Sequence, residues 1–163
     1  LCIKIVNGGF ASEVFRNLQI GDSLTLRGPF GQFVFNKESS SSEVWFIGTG
    51  TGVTPFYSMI REFVPRLKEK KFKLIFGVRN KEDLFYHEEF QEMEKQYSNF
   101  SYWPTLSQED WEGYSGRVQN HLSGDLQNKD FYICGLKEMV LETQQYLLEK
   151  GVAPERIHFE RYT

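Results

Sequence analysis

Hydrophobic residues from position 44 onward follow two alternating patterns. Short runs of β-branched and aromatic residues predict buried strands, and between them apolar residues recur at intervals of three and four, which predicts amphipathic helices. The predicted strands cover residues 44–47, 73–78, 100–105, 131–134 and 157–160. Strands that alternate with helices are typical of a parallel sheet covered on both faces. The pattern therefore predicts a doubly wound α/β domain with a parallel five-stranded sheet.

Three apolar stripes define the helices predicted between these strands. They comprise Phe56, Met59, Ile60, Phe63, Val64 and Leu67; Tyr86, Phe90, Met93 and Tyr97; and Met139, Val140, Thr143 and Leu147. We interpret these positions as core packing and not as ligand contacts, because their spacing places each set on one helix face. Pro65 is expected to kink or end the first helix, since proline lacks a backbone N–H and clashes with the preceding turn.

The first 36 residues have a different pattern, in which short β-rich runs are separated by glycine-containing turns. The predicted strands are residues 1–6, 23–27 and 32–35, which together indicate part of an antiparallel barrel. Lys37, Glu38 and four serines then precede the change to alternating strands and helices. We therefore predict two domains, residues 1–40 and 41–163. Because Leu1 is not methionine and already belongs to a predicted strand, we expect the chain to be a fragment.

Composition excludes several classes of function. The 163 residues carry a net charge of −3 and no basic run with interleaved aromatics, so nucleic acid is not an expected partner. Two cysteines, Cys2 and Cys134, are too few for a disulfide framework or a four-thiolate iron–sulfur cluster, and they favour a reducing, cytoplasmic compartment. No apolar run approaches the roughly 20 residues of a transmembrane helix. The histidines lack neighbouring metal ligands, so no metal site is expected.

A glycine-rich loop joins the first predicted α/β strand directly to a helix. Its residues are Gly48, Thr49, Gly50, Thr51, Gly52, Val53, Thr54 and Pro55. Glycines let backbone N–H groups approach an anion closely, and proline suits the first turn of a helix whose N-terminus favours negative charge. The loop therefore predicts a pyrophosphate site for a dinucleotide, and a turn without a ligand is the alternative. It matches neither the Walker loop nor the usual Gly-x-Gly-x-x-Gly fingerprint.

Other segments place this loop in a family context. They are Tyr-Ile-Cys-Gly-Leu-Lys-Glu-Met at residues 132–139, Glu-Arg-Tyr at 160–162, Gly-Gly-Phe-Ala-Ser at 8–12 and Gly-Pro-Phe-Gly at 28–31. In this order and spacing, over nearly the whole chain, they resemble the ferredoxin–NADP reductase superfamily, in which a flavin-binding barrel precedes a Rossmann-like nucleotide domain. The resemblance implies an N-terminally truncated flavoprotein, an NAD(P)H-dependent flavin oxidoreductase. Its expected flavin is FAD, with FMN as the alternative.

The resemblance also assigns roles to particular residues. The nucleotide pyrophosphate would contact Thr49, Gly50, Thr51 and Gly52, and the nicotinamide end would lie near Thr54 and Cys134. Gly48 and Gly135 are further cofactor-binding candidates, and the candidate catalytic residues are Thr54, Cys134, Glu160 and Tyr162. Glu160 would lie at the flavin–nicotinamide contact, and Tyr162 would cover the flavin ring and yield when nicotinamide docks. Gly9, Ala11 and Ser12 would meet the flavin pyrophosphate. From the residues alone, each has a structural alternative: a buried small side chain at Cys134, an exposed edge residue at Glu160, a frayed terminus at Tyr162 and a hairpin turn at Gly9.

Cofactor preference rests on the segment after the third predicted α/β strand. NADPH-specific plant-type members of the superfamily carry a Ser-Arg pair there, and its guanidinium suits a 2′-phosphate. The corresponding pair in this chain is Ser107 and Gln108. A neutral amide lacks the charge, so we favour NADH over NADPH. Arg79, Tyr114 and Arg117 are further candidate contacts to the nucleotide. A nearby cation could supply the missing charge, so NADPH stays an alternative donor.

Two functions are compatible with these residues. The first is a reductase that transfers hydride from NAD(P)H to a bound flavin and passes electrons to a ferredoxin, another iron–sulfur carrier, a haem protein or an oxygenase. The second is a nucleotide-binding module that serves regulation or assembly without turning the nucleotide over. The flavin-contacting Arg-x-Tyr/Phe-Ser/Thr motif of the superfamily would lie before Leu1.

Overall fold

The computed structural model describes residues 2–162 as two compact units, one ending at Gln32 and the other beginning at Phe33. The strands are β1 (Glu43–Thr49), β2 (Lys71–Val78), β3 (Phe100–Leu106), β4 (Tyr114–Ser115), β5 (Asp130–Leu136) and β6 (Ile157–Tyr162). The α-helices are α1 (Phe10–Asn17), α2 (Thr54–Phe63), α3 (His87–Gln96) and α4 (Lys137–Glu149). Leu1 and Thr163, which end the predicted domains, lie outside the described residues.

The second unit is built on a parallel sheet with the strand order β4-β3-β2-β1-β5-β6. All five predicted strands are present, which confirms the doubly wound α/β fold. The prediction of five strands was one short, because β4 has two residues, too few to show a hydrophobic period. The carboxyl ends of β1, β2, β3 and β5 lie along the same edge of the sheet, as they must in a parallel arrangement.

Alternation along β1 divides the core between the two faces of the sheet. Val44 and Phe46 pack in one cluster with α2 and α3, whereas Trp45 and Ile47 pack in the other with α4. The predicted apolar stripes account for the buried face of each helix, as expected for core positions. The helix of the first stripe ends at Phe63, two residues before Pro65, and this confirms the expected helix stop.

The first unit differs from the prediction. Among its described residues there is no strand, so the strand predicted at residues 23–27 and the described part of the strand predicted at residues 1–6 are wrong in this structure. The one α-helix among these residues, α1, begins at Phe10. A strand requires a paired neighbour for its backbone groups, and no ladder forms in the described part of this unit. Several of its apolar side chains are exposed, including Phe10, Ile20, Leu26 and Phe30.

The third N-terminal strand, predicted at residues 32–35, is also not formed, and its aromatic side chains, Phe33 and Phe35, pack within the second unit. Phe35 stacks on Phe63 and on Tyr132, with ring centroids 4.3 and 5.5 Å apart. The Asn36 N–H donates to the Tyr132 hydroxyl at 2.8 Å. Side-chain packing on α2 and β5 therefore replaces strand pairing in this segment.

Candidate functional site

The glycine-rich loop lies at the carboxyl end of β1. A 3₁₀ turn over Gly50–Val53 follows the strand directly, and α2 begins at Thr54 with Pro55 in its first turn. Gly50 has φ +51° and open space at its Cβ position, and the Thr54 hydroxyl donates to the Thr51 carbonyl. The loop thus brings free backbone N–H groups and a helix N-terminus to one place, which suits a phosphate group.

Close backbone contact joins this loop to the end of β5. A Cβ added to Gly52 would lie 2.2 Å from the Cys134 carbonyl oxygen and 2.8 Å from Gly135 Cα. Gly135 has φ +154°, and its own Cβ would lie 2.3 Å from Thr49 Oγ1. Only glycine permits both approaches, since any Cβ would occupy space held by backbone or by a buried hydroxyl. The predicted pyrophosphate residues and the predicted nicotinamide residues therefore meet.

The side chain of Thr49, at the base of the glycine-rich loop, bears on whether the loop fits an anionic ligand. Its Oγ1 is buried, and among the described residues it has no hydrogen-bond partner. Buried hydroxyls are normally paired, so an unpaired donor at the base of a glycine-rich loop fits a phosphate or ribose oxygen that the protein itself does not supply. The residues of the loop fit a dinucleotide.

Cys134 is fully buried at the end of β5, where the register of β6 places Glu160 opposite it. Burial raises the pKa of the Cys134 thiol to about 11; a hydrogen bond with Tyr162 lowers it, and the nearby Glu160 carboxylate raises it. The thiol is therefore neutral near pH 7. The pairing of β5 with β6 brings together three of the predicted catalytic residues, Cys134, Glu160 and Tyr162, whereas Thr54 lies at the start of α2.

We expect Cys134 to react with iodoacetamide at pH 8 at least about 100-fold more slowly than a free thiol, because only the thiolate attacks and burial keeps the thiol protonated. The measurement is mass spectrometry of the Cys134 peptide over time in a Cys2→Ser variant, with glutathione as the reference thiol. The rate should rise with pH up to about 11, in line with the raised pKa. Labelling as fast as glutathione at pH 8 would instead identify an activated nucleophile.

The predicted cofactor-preference residues are adjacent at the ends of β2 and β3. The Gln108 N–H donates to the Arg79 carbonyl at 3.0 Å, and the Ser107 N–H donates to the Val78 carbonyl at 3.1 Å. Arg79 is exposed, and among the described residues its guanidinium has no ion-pair partner. These residues form a polar rim at the same sheet edge as the glycine-rich loop.

Tyr114 is the first residue of β4, and Arg117 lies in the turn that follows this strand. Tyr114 stacks on Trp103 with ring centroids 4.8 Å apart, and the His121 ring meets Tyr114 edge-on at 5.3 Å. Arg117 pairs with Glu142 of α4 at 3.5 Å. Glu142 was not among the predicted site residues, since a glutamate on the solvent face of a helix gives no signal until the fold brings α4 beside this turn.

The histidines are accommodated within the fold. Nε2 of His121 lies 2.9 Å from the Thr105 hydroxyl, which donates to the Gly116 carbonyl at 2.8 Å. Burial lowers the pKa of His121, against a hydrogen bond to the Ser115 backbone that raises it. His158 stacks on Tyr132 at 4.5 Å, and His87 Nδ1 lies 3.1 Å from the Tyr102 hydroxyl.

The predicted flavin-phosphate residues lie at the start of α1 in the first unit. Gly9 precedes the helix, Ala11 is in its first turn, and Ser12 is buried with its Oγ accepting from the Val6 N–H at 3.0 Å. A helix N-terminus is found here in place of a hairpin turn. Its free N–H groups favour an anion, while the Ser12 oxygen holds the preceding segment.

Comparison with known families shows which family the chain belongs to. Residues 46–145 match the oxidoreductase NAD-binding domain family, and residues 1–35 match the oxidoreductase FAD-binding domain family. The chain belongs to the oxidoreductase NAD-binding domain family. With the FAD-binding match before it, it is part of the ferredoxin–NADP reductase superfamily, whose members are NAD(P)H-dependent flavin oxidoreductases.

Two relatives illustrate where such chains occur. The reductase component DmpP of phenol 2-monooxygenase from Pseudomonas sp. strain CF600 is 31% identical over 171 residues, which cover 99% of this chain and 48% of DmpP. One component of the Na⁺-translocating NADH-quinone reductase from Neisseria meningitidis strain MC58 is 34% identical over 161 residues, which cover 91% of this chain and 39% of that component. The chain thus spans less than half the length of either relative.

Solved structures agree with the fold. The Amycolatopsis cytochrome P450 reductase GcoB superposes with a TM-score of 0.90 at 27% identity, covering 99% of this chain and 51% of GcoB. A ferredoxin–NADP⁺ reductase from Neisseria gonorrhoeae, solved with FAD and NADP, gives a TM-score of 0.84 at 23% identity, covering 96% and 71%. None of the helices in residues 2–162 combines the length and apolar character that crossing a bilayer requires.

Proposed function

We propose that this chain is the NAD(P)H-binding part of a flavin-dependent reductase that passes electrons to a separate redox centre. The observation that carries the proposal is the contact of Gly52 with the Cys134 backbone beside the unpaired, buried Thr49 hydroxyl. A nucleotide whose phosphates lie on the glycine-rich loop would extend toward Cys134. Residues 1–40 would belong to the flavin-binding barrel and residues 41–163 to the nucleotide domain, in keeping with the two family matches.

In this proposal the protein residues bind and orient, while the flavin supplies the redox chemistry: it accepts hydride from the nicotinamide and releases electrons singly. Backbone N–H groups of the glycine-rich loop and the N-terminus of α2 hold the pyrophosphate. Cys134, small and neutral, packs against the nicotinamide without blocking it. Glu160 supplies a carboxylate that orients the ring or manages a proton.

Tyr162 has a gating role in the proposal. Its ring is suited to offset stacking on a planar cofactor, and a hydrogen bond ties it to Cys134. A nicotinamide ring that approaches Cys134 must displace this side chain. Tyr162 therefore excludes water from the site between turnovers and sets part of the cost of nucleotide binding.

NADH is the proposed donor, because Gln108 carries no charge toward a 2′-phosphate where Arg is found in NADPH-specific relatives of plant type. The acceptor is proposed to be an oxygenase, haem or iron–sulfur partner, by analogy with the phenol 2-monooxygenase reductase component and the P450 reductase. The free thiols Cys2 and Cys134 suit a reducing compartment, and we place the reaction in the cytoplasm.

An absorption spectrum of the full-length protein tests the proposal directly. The purified protein is expected to show an oxidised flavin band that bleaches when NADH is added without oxygen, and more slowly with NADPH. Extraction and chromatography of the flavin would distinguish FAD from FMN. A protein that stays colourless after incubation with FAD, yet binds NADH, would instead be a nucleotide-binding module for regulation or assembly.

A further inference from the structure

The turn that carries Arg117 is held against the nucleotide site by a close contact. A Cβ added to Gly77 of β2 would lie 2.6 Å from Val118 Cγ1 and 3.2 Å from Thr49 Cγ2. Val118 is fully buried and begins the 3₁₀ turn Val118–His121. Gly77 thus lets this turn pack directly beside the glycine-rich loop. Arg117 and Gln119, on either side of Val118, are thereby held close to the place proposed for the nucleotide.

One carboxylate engages both of these neighbours. Glu142 Oε2 lies 3.5 Å from the Arg117 guanidinium and accepts from Gln119 Nε2 at 3.2 Å. The second amide atom of that side chain, Gln119 Oε1, is buried and has no partner among the described residues. Glu142 therefore fixes the orientation of the Gln119 amide and compensates the Arg117 charge at once. Both members of the ion pair are more than half exposed, which limits the strength of the pair.

Lys81, a second basic residue at this edge of the sheet, also has its positive charge compensated by a carboxylate. The Lys81 ammonium lies 3.4 Å from Glu112, and the Lys81 N–H donates to Glu109 at 2.7 Å. Of Arg79, Lys81 and Arg117, only Arg79 lacks a carboxylate partner within the described residues. These three basic residues thus present less positive charge to a ligand than their number indicates.

We propose that Glu142 is a specificity-determining residue that disfavours nucleotides with a 2′-phosphate. It does so through Arg117: the carboxylate neutralises the guanidinium, so a 2′-phosphate beside Arg117 meets a neutral pair, and Arg79 is the one cation of the three that is left without a carboxylate partner among the described residues. A nucleotide with a free 2′-hydroxyl carries no such charge and is indifferent to the pair. The inference rests on the proposed function, because it assumes that the nucleotide occupies the glycine-rich loop.

Binding of two adenosine probes tests this role without requiring turnover. Adenosine 2′,5′-bisphosphate carries the 2′-phosphate, and adenosine 5′-monophosphate lacks it. In the full-length protein, Glu142→Gln is expected to raise the affinity for the bisphosphate relative to the monophosphate by about fivefold, the scale of one exposed ion pair. The ratio of kcat/KM for NADPH to that for NADH should shift in the same direction.

Two further variants separate this role from a general change of charge. Glu149→Gln removes one negative charge from the same helix, seven positions along, where Glu149 accepts from Gln145; its affinity ratio should match the parent. The double variant Arg117→Gln with Glu142→Gln should lose the gain, because the freed guanidinium is absent. A gain in Glu149→Gln as large as in Glu142→Gln, or a gain that survives in the double variant, would overturn the proposal.

The failures of the two proposals are distinguishable. Binding of both probes with a ratio that Glu142→Gln leaves unchanged would overturn only the role of Glu142. If the parent protein bound neither probe nor NADH, the proposed function itself would fail, and the inference with it.

Discussion

Gly52→Ala is expected to lower the affinity for NADH at least about 100-fold, because the added methyl cannot be accommodated without moving the glycine-rich loop. Its Cβ would lie 2.2 Å from the Cys134 carbonyl oxygen, a backbone atom fixed in the centre of the sheet. The backbone at Cys134 cannot rotate away as a flexible side chain can. The glycine-rich loop must therefore shift, and its N–H groups no longer point at the proposed pyrophosphate position. Fluorescence titration of NADH in the full-length variant measures the loss.

Stability must be followed in the same variant. Inserting a methyl into a tightly packed place costs about 1–3 kcal/mol of unfolding free energy, which thermal unfolding will report. Gly124→Ala is the matched control: its φ is +83°, but nothing lies within 4 Å of the added Cβ. That variant should show backbone strain of about 1 kcal/mol with unchanged NADH binding. NADH affinity in Gly52→Ala equal to that of the control would refute the close-contact account.

Hydrophobic periodicity predicted the α/β unit well because its central strands are buried on both faces. Phe46 and Ile47 are both fully buried although they face opposite sides of the sheet, so β1 is a continuous apolar run that is readable without a structure. β4, with two residues, is too short to show such an apolar run in the sequence. It forms because the edge of β3 offers backbone partners, as in the bond from the Gly116 N–H to the Leu106 carbonyl.

The first unit could not be predicted by the same reasoning. Its apolar runs indicated strands, yet the described residues contain one helix and exposed side chains such as Ile20 and Phe30. Strand formation depends on a partner that local sequence does not specify, whereas helix α1 satisfies its own backbone. The glycine pair at residues 8–9 was interpreted as part of a turn, and the helix that follows it was missed.

Part of the candidate site could be predicted from the sequence, and part could not. Residues that follow strands could be placed by topology alone, because the carboxyl ends of parallel strands share one edge. The meeting of the glycine-rich loop with Cys134 and Gly135 is of this kind. The pairing of Arg117 with Glu142 joins residues on separate elements through side chains, and no period or motif marks it.

Tyr162→Ser is expected to raise the affinity for NAD⁺ at least about tenfold while lowering the rate of turnover. Tyr162 lies at the end of β6 opposite Leu136, and its hydrogen bond with Cys134 keeps the side chain beside the residue where we propose that the nicotinamide docks. Serine is too small to cover that place, so the nucleotide no longer has to displace a ring. Product then leaves more slowly, and release limits turnover.

Tyr162→Phe separates the ring from its hydroxyl. Phenylalanine keeps the planar cover and loses only the hydrogen bond with Cys134, a contribution of about 0.5–1.5 kcal/mol, so NAD⁺ affinity should rise less than in the serine variant. Spectroscopic titration with NAD⁺ and steady-state turnover with NADH, on the full-length protein, measure both effects. If serine and phenylalanine both bind NAD⁺ as the parent does, Tyr162 does not compete with the nicotinamide. The end of β6 would then serve only to complete the sheet beside Cys134.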